Sequence, residues 1–188
     1  LLSRRQRQMC IRDRYPHITV SVISGSPMQV DNWLRDGSVE IGVTDRRWTG
    51  AELDWTKLVD DPFLAVLPPD SDAPDPMPAD YLSGKAVIIP DYGTNTDTTR
   101  VFTRAGVEPA YTDDRLNNRS VLAAVAAGLG STVFSRLELD YYAQQNLTVR
   151  AIDPPCLREL GVDVDPTTFT VEQAVPQLRA LLEGRAHA

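Results

Sequence analysis

The sequence predicts an α/β protein of two lobes with a cleft between them. Three observations carry this. Strand-period and helix-period segments alternate along most of the chain, a stretch with five prolines from Pro68 to Pro78 interrupts the alternation once, and polar loops recur where strands pass into helices. With 188 residues, 42% of them hydrophobic, the chain is long enough to bury a core as one domain or as two small lobes.

Ile18, Val20 and Val22 alternate as on a strand and lead into Ser24-Gly25-Ser26-Pro27. Ser26 is placed to cap a helix, Pro27 suits a first helical position that needs no amide hydrogen, and Gln29 completes a capping box. Val30, Trp33 and Leu34 form the apolar stripe, Gly37 ends the helix, and Val39 to Thr44 reads as a second strand, so a βαβ unit and parallel pairing are expected. After a polar turn from Asp45 to Gly50, Leu53 to Leu58 leads into the apolar run Phe63 to Leu67. The segment Pro68–Pro78, which also holds Asp70, Asp72 and Asp75, is too stiff and polar for a core element and is expected to cross the surface between lobes.

Ala86 to Ile89 is a short strand ended by Pro90, followed by a Gly-, Asn- and Thr-rich loop from Asp91 to Thr99 and a helix that Gly106 terminates. Asn117 to Ser120 opens an alanine-rich helix through Ala127, and Gly128 and Gly130 turn the chain into Thr132-Val133-Phe134. Leu147 to Ile152 and Leu160 to Val164 read as strands around an Asp153-Pro154-Pro155 turn, and a last helix is expected from about residue 171 to 182. The expected organisation is a non-native or disordered leader at 1–14, an incomplete first lobe from 15–67 with 163–188, and a second lobe at 68–162.

Charge and composition exclude several function classes. The net charge is −7, yet residues 1–14 carry +4 through Arg4, Arg5, Arg7, Arg12 and Arg14 against Asp13, which leaves −11 on residues 15–188. Such a surface repels a phosphate backbone, so direct nucleic-acid binding is not expected of this chain. No apolar run approaches the roughly 20 residues of a membrane span, and the start lacks the apolar core of a secretion signal, so no membrane partner and a cytoplasmic location are expected. Cys10 and Cys156 stand alone without spaced partners, which supports neither a disulfide framework nor a zinc site.

The functional signal lies in the polar loops at the carboxyl ends of strands, where open α/β sheets bind ligands. Helix N-termini there offer unpaired amide hydrogens and a positive dipole end suited to a carboxylate or other small anion. Taken singly, Ser26, Thr96 and Asn118 are equally suited to cap their own helices. The only histidines, His17 beside a strand and His187 in the tail, leave no natural base for a Ser or Cys nucleophile, so no enzyme activity and no cofactor are expected. The paired acids Asp60-Asp61 and Asp113-Asp114 read as solvated element ends, with no metal site expected. Gly128-Leu129-Gly130 ends a helix instead of opening one and is no dinucleotide fingerprint. Trp33 and Trp55 read as core, and Trp48 as a loop aromatic.

Several segments together resemble a known family. Tyr15-Pro16-His17-Ile18-Thr19-Val20 is similar to the strand entry of LysR-type transcriptional regulators, and Leu34 to Val43 to their Gly-ended helix and acidic strand. Pro62 to Pro69 resembles the strand that leads into their second lobe. Val121 to Gly130, with Gly106-Val107-Glu108-Pro109 before it, resembles the stretch ending in Val-Ala-Ala-Gly-Leu-Gly. The resemblance covers about residues 15–184 and implies the effector-binding domain, N-terminally truncated, with a type 2 periplasmic-binding-protein-like fold of parallel or mixed sheets. By that resemblance a small-molecule effector contacts Ser24, Gly25, Ser26, Thr44, Tyr92, Gly93, Thr94, Leu116, Asn117 and Asn118. It also implies a homo-oligomer and DNA binding only through a winged helix-turn-helix absent from this chain. Where the family continues from Gly-Leu-Gly into an apolar strand ending in Leu-Pro, this chain has Ser131-Thr132-Val133-Phe134-Ser135, which leaves the end of that strand open. A solute-binding component of a transporter and a small α/β transferase or lyase are the alternatives.

Overall fold

The computed structural model describes residues 21–46, 50–90, 97–142 and 146–166. The chain divides into two compact units, Leu1–Val59 with Glu159–Ala188, and Asp60–Arg158. It passes between them at 59/60 and 158/159, inside two strands.

In the first unit, helix α1 (Pro27–Arg35) begins as its sequence dictates. Ser26 Oγ accepts from the Gln29 amide at 3.3 Å while Gln29 Oε1 accepts from the Ser26 amide at 2.8 Å, the full capping box. Leu34 is buried, with Val30 and Trp33 half-buried on the same stripe. At the far end the Ser38 hydroxyl, and then its amide, hold the Asp36 carboxyl below the ordinary carboxylate range, and Gly37 takes φ +75°. Strand β1 (Gly42–Asp45) follows. The strand expected before α1 lies mostly outside the described residues, and residues 21–26 are irregular and exposed.

Strand β2 (Asp54–Leu67) joins into one element what the sequence suggested were two segments. Pro62 does not break it, because its fixed φ is compatible with extended backbone and the next amide, Phe63 N–H, donates to the Cys156 carbonyl at 2.9 Å. The proline-rich stretch that follows lies within the second unit. There Ala73 and Met77 are buried, and β3 (Met77–Pro78) pairs parallel with a later strand. The polar composition hid two core residues, and the freed backbone groups bond elsewhere: the Ala73 carbonyl accepts from Arg150 Nε at 2.8 Å.

After a 3₁₀ turn (Ala79–Leu82) come β4 (Ala86–Pro90), α2 (Asp97–Ala105), β5 (Ala110–Leu116), α3 (Asn118–Ala126) and β6 (Thr132–Ser135). Gly106 and Gly128, at φ +68° and +79°, turn the chain out of α2 and α3. Helix α4 (Arg136–Tyr142), not anticipated from the sequence, starts from a second capping box: the Glu138 amide donates to Ser135 Oγ at 3.3 Å, and Glu138 Oε2 accepts from the Ser135 amide at 3.5 Å. Strands β7 (Thr148–Asp153) and β8 (Leu157–Val164) end the described chain, and the helix expected at 171–182 falls outside it.

The sheets are mixed. β1 pairs antiparallel with β8, and β2 pairs antiparallel with β6 and β7, whereas β3–β7 and β4–β5 are parallel. The described partner of β1 is thus a strand returning from the far end of the chain, while the strand expected to pair with it in parallel lies mostly outside the described residues. In the second unit β2 is buried on both faces, so its alternating side chains feed two cores. Phe63, Ala65 and Leu67 join Met77, Leu82, Val87 and Phe102. Leu64 and Val66 join Ile88, Val121, Leu122, Val125 and Phe134.

Replacing Ser26 by Ala removes the α1 capping box and is expected to cost about 1 kcal/mol. Leu122→Ala, which empties a fully buried position, is expected to cost about 2–5 kcal/mol, both read from urea unfolding curves.

Candidate functional site

The residues singled out from the sequence fall into two groups and a third outside the described residues. Ser24, Gly25, Ser26 and Thr44 belong to the first unit, and Leu116, Asn117 and Asn118 to the second; Tyr92, Gly93 and Thr94 lie outside the described residues.

In the first unit the polar groups are largely engaged by their own neighbourhood. Ser24 and Gly25 are exposed, and Gly25 sits over Trp33 so closely that a Cβ there would lie 2.7 Å from the ring. Ser26 spends its hydroxyl on capping α1. Thr44, at the carboxyl end of β1, is buried and donates its hydroxyl to Asp163 Oδ2 on the paired strand. Asp45 beside it is buried as well, and the Arg46 guanidinium stacks 5.3 Å from the centre of the Trp55 ring. Opposite Thr44 in the register is Gly161, whose hydrogen leaves room for that indole; a Cβ would fall 2.2 Å from Trp55 Cε2. The sequence reading missed Asp163 as the partner of Thr44. Its signal was a lone acid within the apolar Gly161-Val162-Asp163-Val164 run, since a buried carboxylate needs a donor.

In the second unit Leu116 ends β5 and packs against the core of Val121 and Val125. Asn117, not Asn118, is the N-cap of α3, accepting from the Ser120 amide at 3.0 Å. Asn118 is therefore freed from capping, and it is only 5% exposed. Its Oδ1 is buried with no hydrogen-bond partner among the described residues. A buried amide oxygen without a donor costs about 1–3 kcal/mol.

A family model described as the LysR substrate binding domain matches residues 11–182. The probable HTH-type transcriptional regulator LrrA of Synechococcus elongatus is 27% identical over 135 residues, covering 70% of this chain and 45% of that protein. The transcriptional activator protein LysR of Escherichia coli is 28% identical over 150 residues, covering 73% and 45%. The chain thus spans less than half the length of these two relatives. Among solved structures, the regulatory domain of Synechocystis PCC6803 CcmR, in complex with 2-PG, superposes with a TM-score of 0.77 at 21% identity, over 94% of this chain and 89% of that one. The C-terminal domain of a probable LysR family transcriptional regulator from Rhodococcus sp. RHA1 gives 0.75 at 16% identity, over 93% and 90%. At these identities the structural likeness is one of fold, a type 2 periplasmic-binding-protein-like α/β architecture.

Two changes test the first-unit geometry. Thr44→Val, nearly isosteric, takes one donor from the buried Asp163 carboxylate and should cost about 1–3 kcal/mol in denaturant unfolding. Gly161→Ala should displace Trp55 and shift the tryptophan emission spectrum, while the spectrum of Gly84→Ala, where nothing lies within 4 Å, stays as in the parent chain.

Proposed function

Because the chain belongs to the LysR substrate-binding domain family, the effector-binding part of LysR-type transcriptional regulators, we propose that it senses a small anionic effector on behalf of a DNA-binding domain outside this chain. The family is one of transcriptional regulators and not of enzymes. Among the described residues no helix is long and apolar enough to cross a membrane.

The observation that carries the binding reading is Asn118. Its buried, unpartnered Oδ1 sits in the first turn of α3, beyond the amide that Asn117 already caps. The backbone N–H groups of that turn and the helix dipole favour a carboxylate or other anion, whereas a carbonyl oxygen calls for a donor. The ligand class that meets both needs is a small acid bearing a hydroxyl or amino group. That the CcmR regulatory domain was solved with 2-PG supports a small effector. In the same unit Leu116 and Asn117 flank Asn118 and are the further contacts of this reading; Ser24, Gly25, Ser26 and Thr44 belong to the other unit, and Tyr92, Gly93 and Thr94 lie outside the described residues. The effector acts by differential affinity for two arrangements of a homo-oligomeric regulator, and a winged helix-turn-helix reads the result.

A thermal-shift screen of small hydroxy and amino acids should find a stabiliser, worth about 2.7 kcal/mol at a hundredfold excess over its Kd. Asn118→Leu removes the unpartnered amide, so it should leave the unliganded melting temperature no lower while abolishing that stabilisation. Failure of every acid to stabilise the parent chain, or an unchanged response in Asn118→Leu, overturns the assignment. In gel-shift assays residues 15–188 should not retain promoter DNA, whereas the chain joined to a winged helix-turn-helix should do so with a salt-dependent affinity.

A further inference from the structure

Helix α3, nine residues long, opens with an imbalance of charge. Of its first amides, that of Ser120 donates to Asn117 Oδ1 at 3.0 Å and that of Val121 to the Asn117 carbonyl at 3.0 Å. The amides of Asn118 and Arg119 meet no acceptor among the described residues, which leaves two adjacent N–H groups at the positive end of the helix dipole. No acidic side chain lies in this first turn, where Asp or Glu would offset that charge. Arg119 occupies the second position instead, exposed and without an ion pair or hydrogen bond among the described residues. A guanidinium there is repelled by the dipole, so it weakens the start of the helix and does not support it. The residue before it is Asn118, whose Oδ1 is buried and unpartnered among the described residues.

These groups differ in what they take. Two neighbouring amides suit the oxygens of one carboxylate or phosphate, and the Asn118 carbonyl oxygen takes a hydroxyl hydrogen. The Arg119 guanidinium, with five donors and no acceptor, takes a further anion. The chain carries a net charge of −7, so its overall field disfavours a ligand with two negative charges unless a local cation reverses that preference. We propose that Arg119 is a specificity residue, which makes this site prefer dianionic hydroxy acids over their monoanionic counterparts. The second charge is a carboxylate or a phosphate ester. The proposal rests on the reading of Asn118 as an effector contact and adds the charge of the effector to it. Because Arg119 is exposed, the preference it confers weakens as ionic strength rises.

The test is calorimetric titration of the full chain with two matched pairs of hydroxy acids, malate against 2-hydroxybutyrate and 3-phosphoglycerate against glycerate. The parent should bind the dianion more tightly in at least one pair, and the pair that shows it identifies the second group as carboxylate or phosphate. Arg119→Gln should reduce that preference about fivefold, the scale of a solvated ion pair, with the affinity for the monoanion unchanged and the unliganded melting temperature no lower. Arg104→Gln, which removes the same charge from the last turn of α2, should keep the parent's preference. If the parent binds both members of each pair equally, if Arg119→Gln keeps the preference, or if Arg104→Gln lowers it as much, Arg119 does not select and this inference alone fails. It fails as well if Arg119→Gln lowers the melting temperature of the unliganded chain, since Arg119 is then a structural residue. If no acid of either pair binds, or if Asn118→Leu binds them all as the parent does, the reading of Asn118 falls and this inference falls with it.

Discussion

The second half of β2 has both faces buried, and much of the second unit follows from that constraint. A strand whose successive side chains point to opposite sides must be covered twice, so Phe63, Ala65 and Leu67 need one core and Leu64 and Val66 another. The 3₁₀ turn, β3 and residues of α2 supply the first core, α3 and α4 the second. Antiparallel partners β6 and β7 on its two edges satisfy the backbone groups that burial removes from water. This also explains why a segment as polar as Pro68–Pro78 is drawn inward at Ala73 and Met77, since those residues cover Leu67 and its neighbours.

A strand that is fully buried at one end and half-exposed at the other must change surroundings along its length, and the change falls where Asp61 sits. A carboxylate at that depth is tolerated because Arg158 and the Leu137 amide meet it with three nitrogen donors. The same residues place the start of α4, whose first amides are thereby satisfied by Asp61 and Ser135. Thr44 and Asp163 form a comparable buried pair in the first unit. Polar groups that the fold satisfies internally contribute order, whereas Asn118 Oδ1 is buried without a partner among the described residues, which is the ground for proposing it as a ligand contact. That contrast separates the residues of the candidate site more sharply than their shared position at strand ends.

What the sequence by itself determined is local. Ser26, Pro27 and Gln29 specify the start of α1, and Gly37, Gly106 and Gly128 the ends of three helices, because caps and left-handed turns involve residues within four positions of each other. The order of segments was also enough to reveal the family, since spacing between such signals survives when side chains vary. The Ser135-Leu137-Glu138 start of α4 is equally local, but the apolar Thr132-Val133-Phe134 run before it looks in sequence like the end of a strand. What only the tertiary structure decided is pairing across distance. Thr44 with Asp163 and Asp61 with Arg158 join residues about a hundred positions apart, the antiparallel partner of β1 comes from the far end of the chain, and Asn118 is buried beside a cap that Asn117 supplies. None of these is encoded in periodicity, which fixes the face a side chain occupies but not the group it meets there.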